Sequence, residues 1–138
     1  MFVGIVVGVT MNNKKRGTKF EQDWCDYLSE HGYWAHFVEP KPDGSQPFDV
    51  IAAKDDKMYV YDCKTLKGNR FPLDRIEWNQ RVAFARIGTI GGVKRQFIVI
   101  KNENGIYQIP FVLLIDKLVG EVPSINLKDY EDYCIERN

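Results

Sequence analysis

The sequence predicts an α/β fold in which a mixed central β-sheet is flanked by helices. Three stretches carry that expectation. Across residues 18–31, Phe20, Trp24, Tyr27 and Leu28 recur at helical spacing, and Gly32 supplies a stop. Residues 48–53 and 58–63 are apolar runs on either side of a polar turn, Lys54-Asp55-Asp56-Lys57, which is the pattern of a β-hairpin. Ile76, Gln80, Phe84 and Ile87 then mark a second helix, and the β-branched run 96–100 suits a strand covered on both faces.

Taken in order, the chain opens with FVGIVVGV, which is apolar but too short to span a bilayer and lacks the basic region and polar cleavage segment of a signal peptide. Residues 1–10 are either an extension upstream of a second start at Met11 or an extra edge strand; residues 11–138 suit a single domain. Thr18 and Glu21 make the S/T-x-x-E capping box of a helix N-terminus. Residues 33–39 form a strand ended by Pro40 and the turn-rich KPDGSQP. After the hairpin, residues 65–70 are polar, basic and glycine-containing, the composition of a flexible loop. Pro72 and Asp74 suit the start of the second helix, which places Gln80 about a turn and a half inside it. Asn102-Glu103-Asn104-Gly105 reads as a hairpin turn into 106–109. Pro110 begins a further helix ended by Gly120, and the tail from Ser124 suits a strand or a helical turn.

A 44% hydrophobic content with 13% aromatics implies a folded globule rather than a disordered tail. The formal net charge is zero, whereas DNA-binding domains are commonly basic. The average conceals an uneven spread. Lys14, Lys15, Arg16 and Lys19 precede the first helix, Lys64, Lys67 and Arg70 follow the hairpin, and Asp129, Glu131, Asp132 and Glu136 make an acidic end. Cys25, Cys63 and Cys134 contain no C-x-x-C pair, so neither a zinc site nor a disulfide framework is indicated, and a reducing cytoplasm is the expected setting. His31 and His36 lie five apart across a glycine and are not a metal pair.

The hairpin gathers the chemistry. Asp49 stands near the start of its first arm and Asp62 near the end of the second, so the two are expected to be neighbours. Alternation along a strand puts Asp62 and Lys64 on one face and Cys63 on the other. Paired carboxylates repel unless a cation lies between them, and Mg2+, a hard ion that takes one or two carboxylates plus water, is the natural candidate.

Pro47-Phe48-Asp49, twelve residues, then Asp62-Cys63-Lys64 resembles the PD-(D/E)xK nuclease signature, with Asp62 where Glu is more usual. The run FPLDRIEWNQ, residues 71–80, is similar to the segment that leads into a glutamine-bearing helix in the RecU-type Holliday junction resolvases. Gly17-Thr18-Lys19-Phe20-Glu21 resembles the glycine-x-x-phenylalanine-glutamate that opens their first helix. Trp78-Asn79 stands where a histidine often precedes the glutamine, and there is little room for the stalk-like insertion of bacterial members.

The resemblance implies a restriction-endonuclease-like topology and phosphodiester hydrolysis. It implies Mg2+, with Mn2+ able to substitute, held by Asp49, Asp62 and the backbone carbonyl of Cys63. Lys64 would orient or deprotonate the attacking water or neutralise developing charge, and Gln80 would position the water or the DNA strand. Glu21 would face the metal through a water or support a second ion, an alternative to its capping role. Lys14, Lys15, Arg16, Lys19, Lys67 and Arg70 are the candidate DNA contacts. The expected partner is branched DNA, bound by a homodimer with no membrane association, because symmetric cutting of a four-way junction needs two sites in fixed relation. Two alternatives stand beside it: a related nuclease acting on flaps, nicks or phage DNA ends, and a DNA-binding module of the same fold that no longer cuts.

Overall fold

The computed structural model describes residues 13–138, with side chains from residue 18 onward. The expected extension over residues 1–10 lies outside the described residues. Helix α1, Asn13–Glu30, is already under way five residues before Thr18, so Thr18 is not an N-cap and the expected capping box does not form. Lys14, Lys15 and Arg16 are good helix formers, and the single Gly17 costs only about 1 kcal/mol, too little to interrupt the turn. Gly32, at φ 88°, turns the chain after the helix.

Strand β1, Trp34–Phe37, is shorter than the sequence suggests. Strands β2, Val50–Lys54, and β3, Lys57–Thr65, form the expected hairpin. Its turn is two residues rather than four, because Lys54 and Lys57 pair in the ladder. Asp55 and Asp56 carry φ of 52° and 64°, the paired left-handed conformation of a type I′ turn, which Asp tolerates better than most residues.

Beyond β3, residues 66–69 lead to β4, Arg70–Pro72. The expected flexible loop is instead tied down: Gly68 N–H donates to Glu103 Oε1 at 2.8 Å, Asn102 Nδ2 to the Gly68 carbonyl at 2.7 Å, and Leu127 N–H to the Asn69 carbonyl at 2.7 Å. These partners lie more than thirty residues away, where composition gives no sign of them. A 3-10 turn, Leu73–Arg75, precedes helix α2, Trp78–Thr89. Ile76 is extended between them, so α2 begins later than Pro72 and Asp74 suggest.

Strands β5, Arg95–Asn102, and β6, Gly105–Pro110, form the second hairpin. The Pro110 helix divides into a 3-10 turn, Phe111–Leu113, and α3, Ile115–Val119, capped by Gly120. The tail contains both structures the sequence left open: strand β7, Ser124–Asn126, a 3-10 segment, Leu127–Tyr133, and strand β8, Cys134–Arg137.

The main sheet runs β1-β2-β3-β5-β6-β8, with β4 and β7 paired separately. Among the described residues only β3 and β5 are parallel; the intervening β4 and α2 make the crossover, so the sheet is mixed. On one face, Phe20, Trp24 and Leu28 of α1 pack on Val50, Ala52, Tyr61 and Val99. On the other, Phe84 of α2 joins Val60, Ile98, Ile100 and Phe111. Each such fully buried apolar side chain contributes about 1.5–3 kcal/mol. Strand β5 is covered from both sides as expected, with Val99 on the α1 face and Ile98 and Ile100 on the other.

Candidate active site

The two-residue turn sets the register of the hairpin and therefore the position of its acids. Val50 pairs with Tyr61, and Asp49, the residue just before β2, lies close enough to Asp62 to act on its carboxyl. Asp49 N–H donates to the Tyr61 carbonyl at 3.0 Å and the Asp49 carbonyl accepts from Val38 N–H at 2.9 Å, so the residue is fastened on both sides at a bulge just before β2. Asp49 Oδ2 accepts from the Cys63 N–H at 2.7 Å, a buried bond.

Asp62 is fully buried. Its Oδ1 accepts from Gln80 Nε2 at 2.8 Å, and its Oδ2 lies 3.3 Å from Lys64 Nζ without a hydrogen bond. Lys64 Nζ donates to Gln80 Oε1 at 3.2 Å, and the Glu77 N–H donates to the same oxygen at 3.0 Å. Gln80 is thus the third residue of α2, not a turn and a half inside. There its amide closes the helix N-terminus and holds the Asp62 carboxylate and the Lys64 ammonium of β3 together. The hydrogen-bond pattern fixes which end is oxygen: donors meet Oε1 and a carboxylate meets Nε2.

Glu21 approaches from α1. Burial pushes its carboxyl up to about 8, with Asp49 adding to the rise and Lys64 opposing it, so all three groups share one field. Asp62 is likewise raised well above the usual range, first by burial, with Lys64 opposing and Asp49 adding. The Cys63 thiol is driven far up by burial and by the three acids, which leaves it an inert thiol.

The structure therefore brings together Glu21, Asp49, Asp62, Cys63, Lys64 and Gln80. Three carboxylates face one ammonium, and Glu21 Oε2 and Asp62 Oδ2 are buried without hydrogen-bond partners. Orphaned anionic oxygens of this kind are costly unless protonated or bound to a cation. Hard oxygen donors beside a cation deficit fit Mg2+ or Mn2+. Among the described residues no three His, Cys, Asp or Glu side chains gather closely enough to cage an ion alone.

The candidate DNA contacts are peripheral. Lys19 is paired with Asp23 at 2.9 Å, Arg70 Nη1 donates to Ser124 Oγ at 2.9 Å, and Lys67 is exposed. The side chains of Lys14, Lys15 and Arg16 lie outside the described residues. Sequence reading missed Arg75, whose Nη1 donates to the Thr65 carbonyl at 2.7 Å and fixes the backbone just past Lys64. Nothing in the run around it marks that bond in advance.

A family model described as the archaeal Holliday junction resolvase (Hjc) matches residues 12–128. The chain belongs to that family. Its members are metal-dependent endonucleases acting on DNA within the PD-(D/E)xK superfamily, so the match places the chain more closely than the RecU-type resemblance while keeping the nuclease class. Among solved structures, Hjc of Archaeoglobus fulgidus, a Holliday junction resolvase from an archaeal hyperthermophile, superposes with a TM-score of 0.62 at 20% identity. The match covers 83% of this chain and 91% of that one, and it shows the restriction-endonuclease-like fold. No curated protein matches the chain. Among the described residues no helix is long and apolar enough to cross a membrane.

Proposed function

We propose that this chain hydrolyses phosphodiester bonds of four-way DNA junctions at the Asp49–Asp62–Lys64 cluster, with Mg2+ as its cofactor and Mn2+ able to substitute. The observation that carries the reading is the convergence of Asp49, Asp62 and Lys64 at the open end of the β2–β3 hairpin, with buried oxygens of Glu21 and Asp62 that have no hydrogen-bond partner. Asp49, Asp62 and the backbone carbonyl of Cys63 would hold the ion, with Glu21 acting through water or at a second ion. When bound, the ion supplies a Lewis acid that acidifies water and shields charge growing on the phosphate.

The protein's own groups supply position and charge. Lys64, held between Asp62 and Gln80, presents an ammonium where it orients the attacking water or neutralises the phosphorane oxygens. Water adds to phosphorus and gives up one proton to solvent, and the leaving ester oxygen departs with its bonding electron pair and takes up a proton from solvent. Gln80 keeps Asp62 and Lys64 in fixed relation, since a shift of about 1 Å at such a site costs on the order of 100-fold in rate.

Lys14, Lys15, Arg16, Lys19, Lys67 and Arg70 would follow the DNA backbone, Lys19 exchanging Asp23 for phosphate. The homodimer finds support in an apolar groove of about 680 Å³ between α2 and α3, rimmed by Trp78, Val112, Ile115 and Val119. These four side chains are all exposed in the single chain, and the groove lies on the helix that carries Gln80.

The test compares cleavage of four-way junction, duplex and single strand, with Mg2+ and with EDTA, for the wild type, Asp62→Ala and Lys64→Ala. Junction-selective, EDTA-sensitive cutting that both variants lose is the expected result. Cutting retained in either variant would remove these residues from the chemistry, and indiscriminate cutting would remove the junction.

A further inference from the structure

A cleft of about 310 Å³ opens on the α1 face at the carboxyl ends of the parallel strands β3 and β5. Lys19, Phe20 and Asp23 line it from α1, Thr65 and Leu66 from the end of β3, and Lys101 from β5. Its walls adjoin the catalytic cluster through the chain itself: Phe20 precedes Glu21 and Thr65 follows Lys64. Thr65 and Lys101 are partners in the parallel ladder, and Leu66 N–H donates to the Lys101 carbonyl at 2.8 Å, so the wall is rigid backbone.

The charges in this cleft do not cancel. Asp23 is occupied by Lys19 at 2.9 Å. The Lys101 ammonium rests 5.8 Å from the centre of the Phe20 ring, and among the described residues it has no ion-pair partner. Phe20 is itself buried, so the ammonium stands over a fixed ring while the lysine as a whole is exposed. An uncancelled, pre-positioned cation beside a phosphodiester-cutting centre attracts the chemistry that centre already handles.

We propose that Lys101 binds the phosphodiester next to the one being cut, with the Thr65 end of β3 as the wall against which that strand lies. The inference rests on the nuclease reading and adds a positioning residue to it. The strand would cross the end of the sheet from the Asp62–Lys64 face toward the α1 face, and Lys101 would fix its direction there. A single phosphate contact contributes to affinity through counterion release, so its signature is a change in salt dependence rather than in chemistry.

The experiment measures equilibrium binding of a labelled four-way junction in EDTA, at 50 to 200 mM salt, for the wild type, Lys101→Gln, Lys101→Arg and the distant control Lys57→Gln. Lys101→Gln keeps the stem over Phe20 while removing the charge. Its salt slope should fall by about one unit, so that its affinity deficit shrinks about 3.5-fold across that salt range. Lys101→Arg should restore the wild-type slope, and Lys57→Gln should not alter it. A Lys101→Gln slope equal to wild type, or an equal loss in Lys57→Gln, would overturn the assignment. A wild type that fails to bind the junction would remove the junction reading and this subsite together, and that outcome is visible without any variant.

Discussion

Gln80 Nε2 donates to Asp62 Oδ1 at 2.8 Å while its Oε1 accepts from Lys64, so one amide spans the two central residues of the site. The same oxygen accepts the Glu77 N–H and closes the first turn of α2. The helix cap and the geometry of the candidate site are therefore one structure. Displacing α2 moves Asp62 and Lys64, and loosening the site frays the helix.

Gln80→Ala should damage both. Removing the amide leaves Asp62 Oδ1 buried and unpaired and frees the Glu77 N–H, at about 1–3 kcal/mol for the orphaned groups. Supporting partners of metal-binding residues are commonly worth about 10–100-fold in affinity or activity. Urea unfolding and Mg2+-dependent cleavage, measured on the same preparation, should fall together. Full activity in a destabilised variant would separate the cap from the site.

The raised Glu21 carboxyl links stability to pH in a defined direction. Its carboxyl lies at about 8 in the folded chain against 4.5 ordinarily, so the folded state holds this proton more tightly than the unfolded one. Its contribution is complete below pH 4.5 and is lost as pH rises through about 8. Asp62, also raised, adds in the same sense. Metal-free protein should thus lose stability between these limits. Saturating Mg2+ should flatten the slope and release protons on binding. Glu21→Gln should reduce the slope and leave the Asp62 part; thermal melts across pH, with and without Mg2+, measure it. A metal-free stability that rises over that range would show that Glu21 is not held in this field.

What the sequence made legible follows the distance over which its signals act. Asp49 and Asp62 could be recognised as neighbours because a short turn brings the far ends of the two arms together, and Phe20, Trp24 and Leu28 announce a helix face by spacing alone. The start of α1 was misplaced because Thr18-x-x-Glu21 has the chemistry of a cap, while Lys14, Lys15 and Arg16 propagate a helix regardless. The start of α2 was misplaced because Glu77 is an unusual N-cap and Pro72 a familiar helix opener. The rigidity of residues 66–69 and the Arg75–Thr65 bond depend on partners that no local pattern names.

The Asp55-Asp56 turn gives a control remote from the chemistry. Asp56 holds φ at 64°, where a Cβ is disfavoured, and glycine adopts that conformation without strain. Asp56→Gly should stabilise the fold by about 0.5–1 kcal/mol, after the greater freedom of glycine in the unfolded chain is offset. The expected readout is a higher urea midpoint at unchanged slope and unchanged cleavage. A lower midpoint would mean that the Asp56 side chain stabilises the turn more than its backbone strains it.

Dimerisation through the α2–α3 groove can be separated from folding because its rim is exposed in the single chain. Val119 is 79% exposed and Trp78 75%, so neither supports the monomer core, and a charge placed there costs little in the isolated chain. Buried against a second copy, the same charge would lack a partner and cost several kcal/mol. Val119→Glu should therefore be monomeric at micromolar concentration by sedimentation, with a melting temperature measured under dissociating conditions close to wild type. Its junction cutting should lose coordination, so that singly nicked junctions accumulate, because paired incision needs two sites held in fixed relation. A wild type that sediments as a monomer would remove the dimer, and a dimeric Val119→Glu would move the interface to another face.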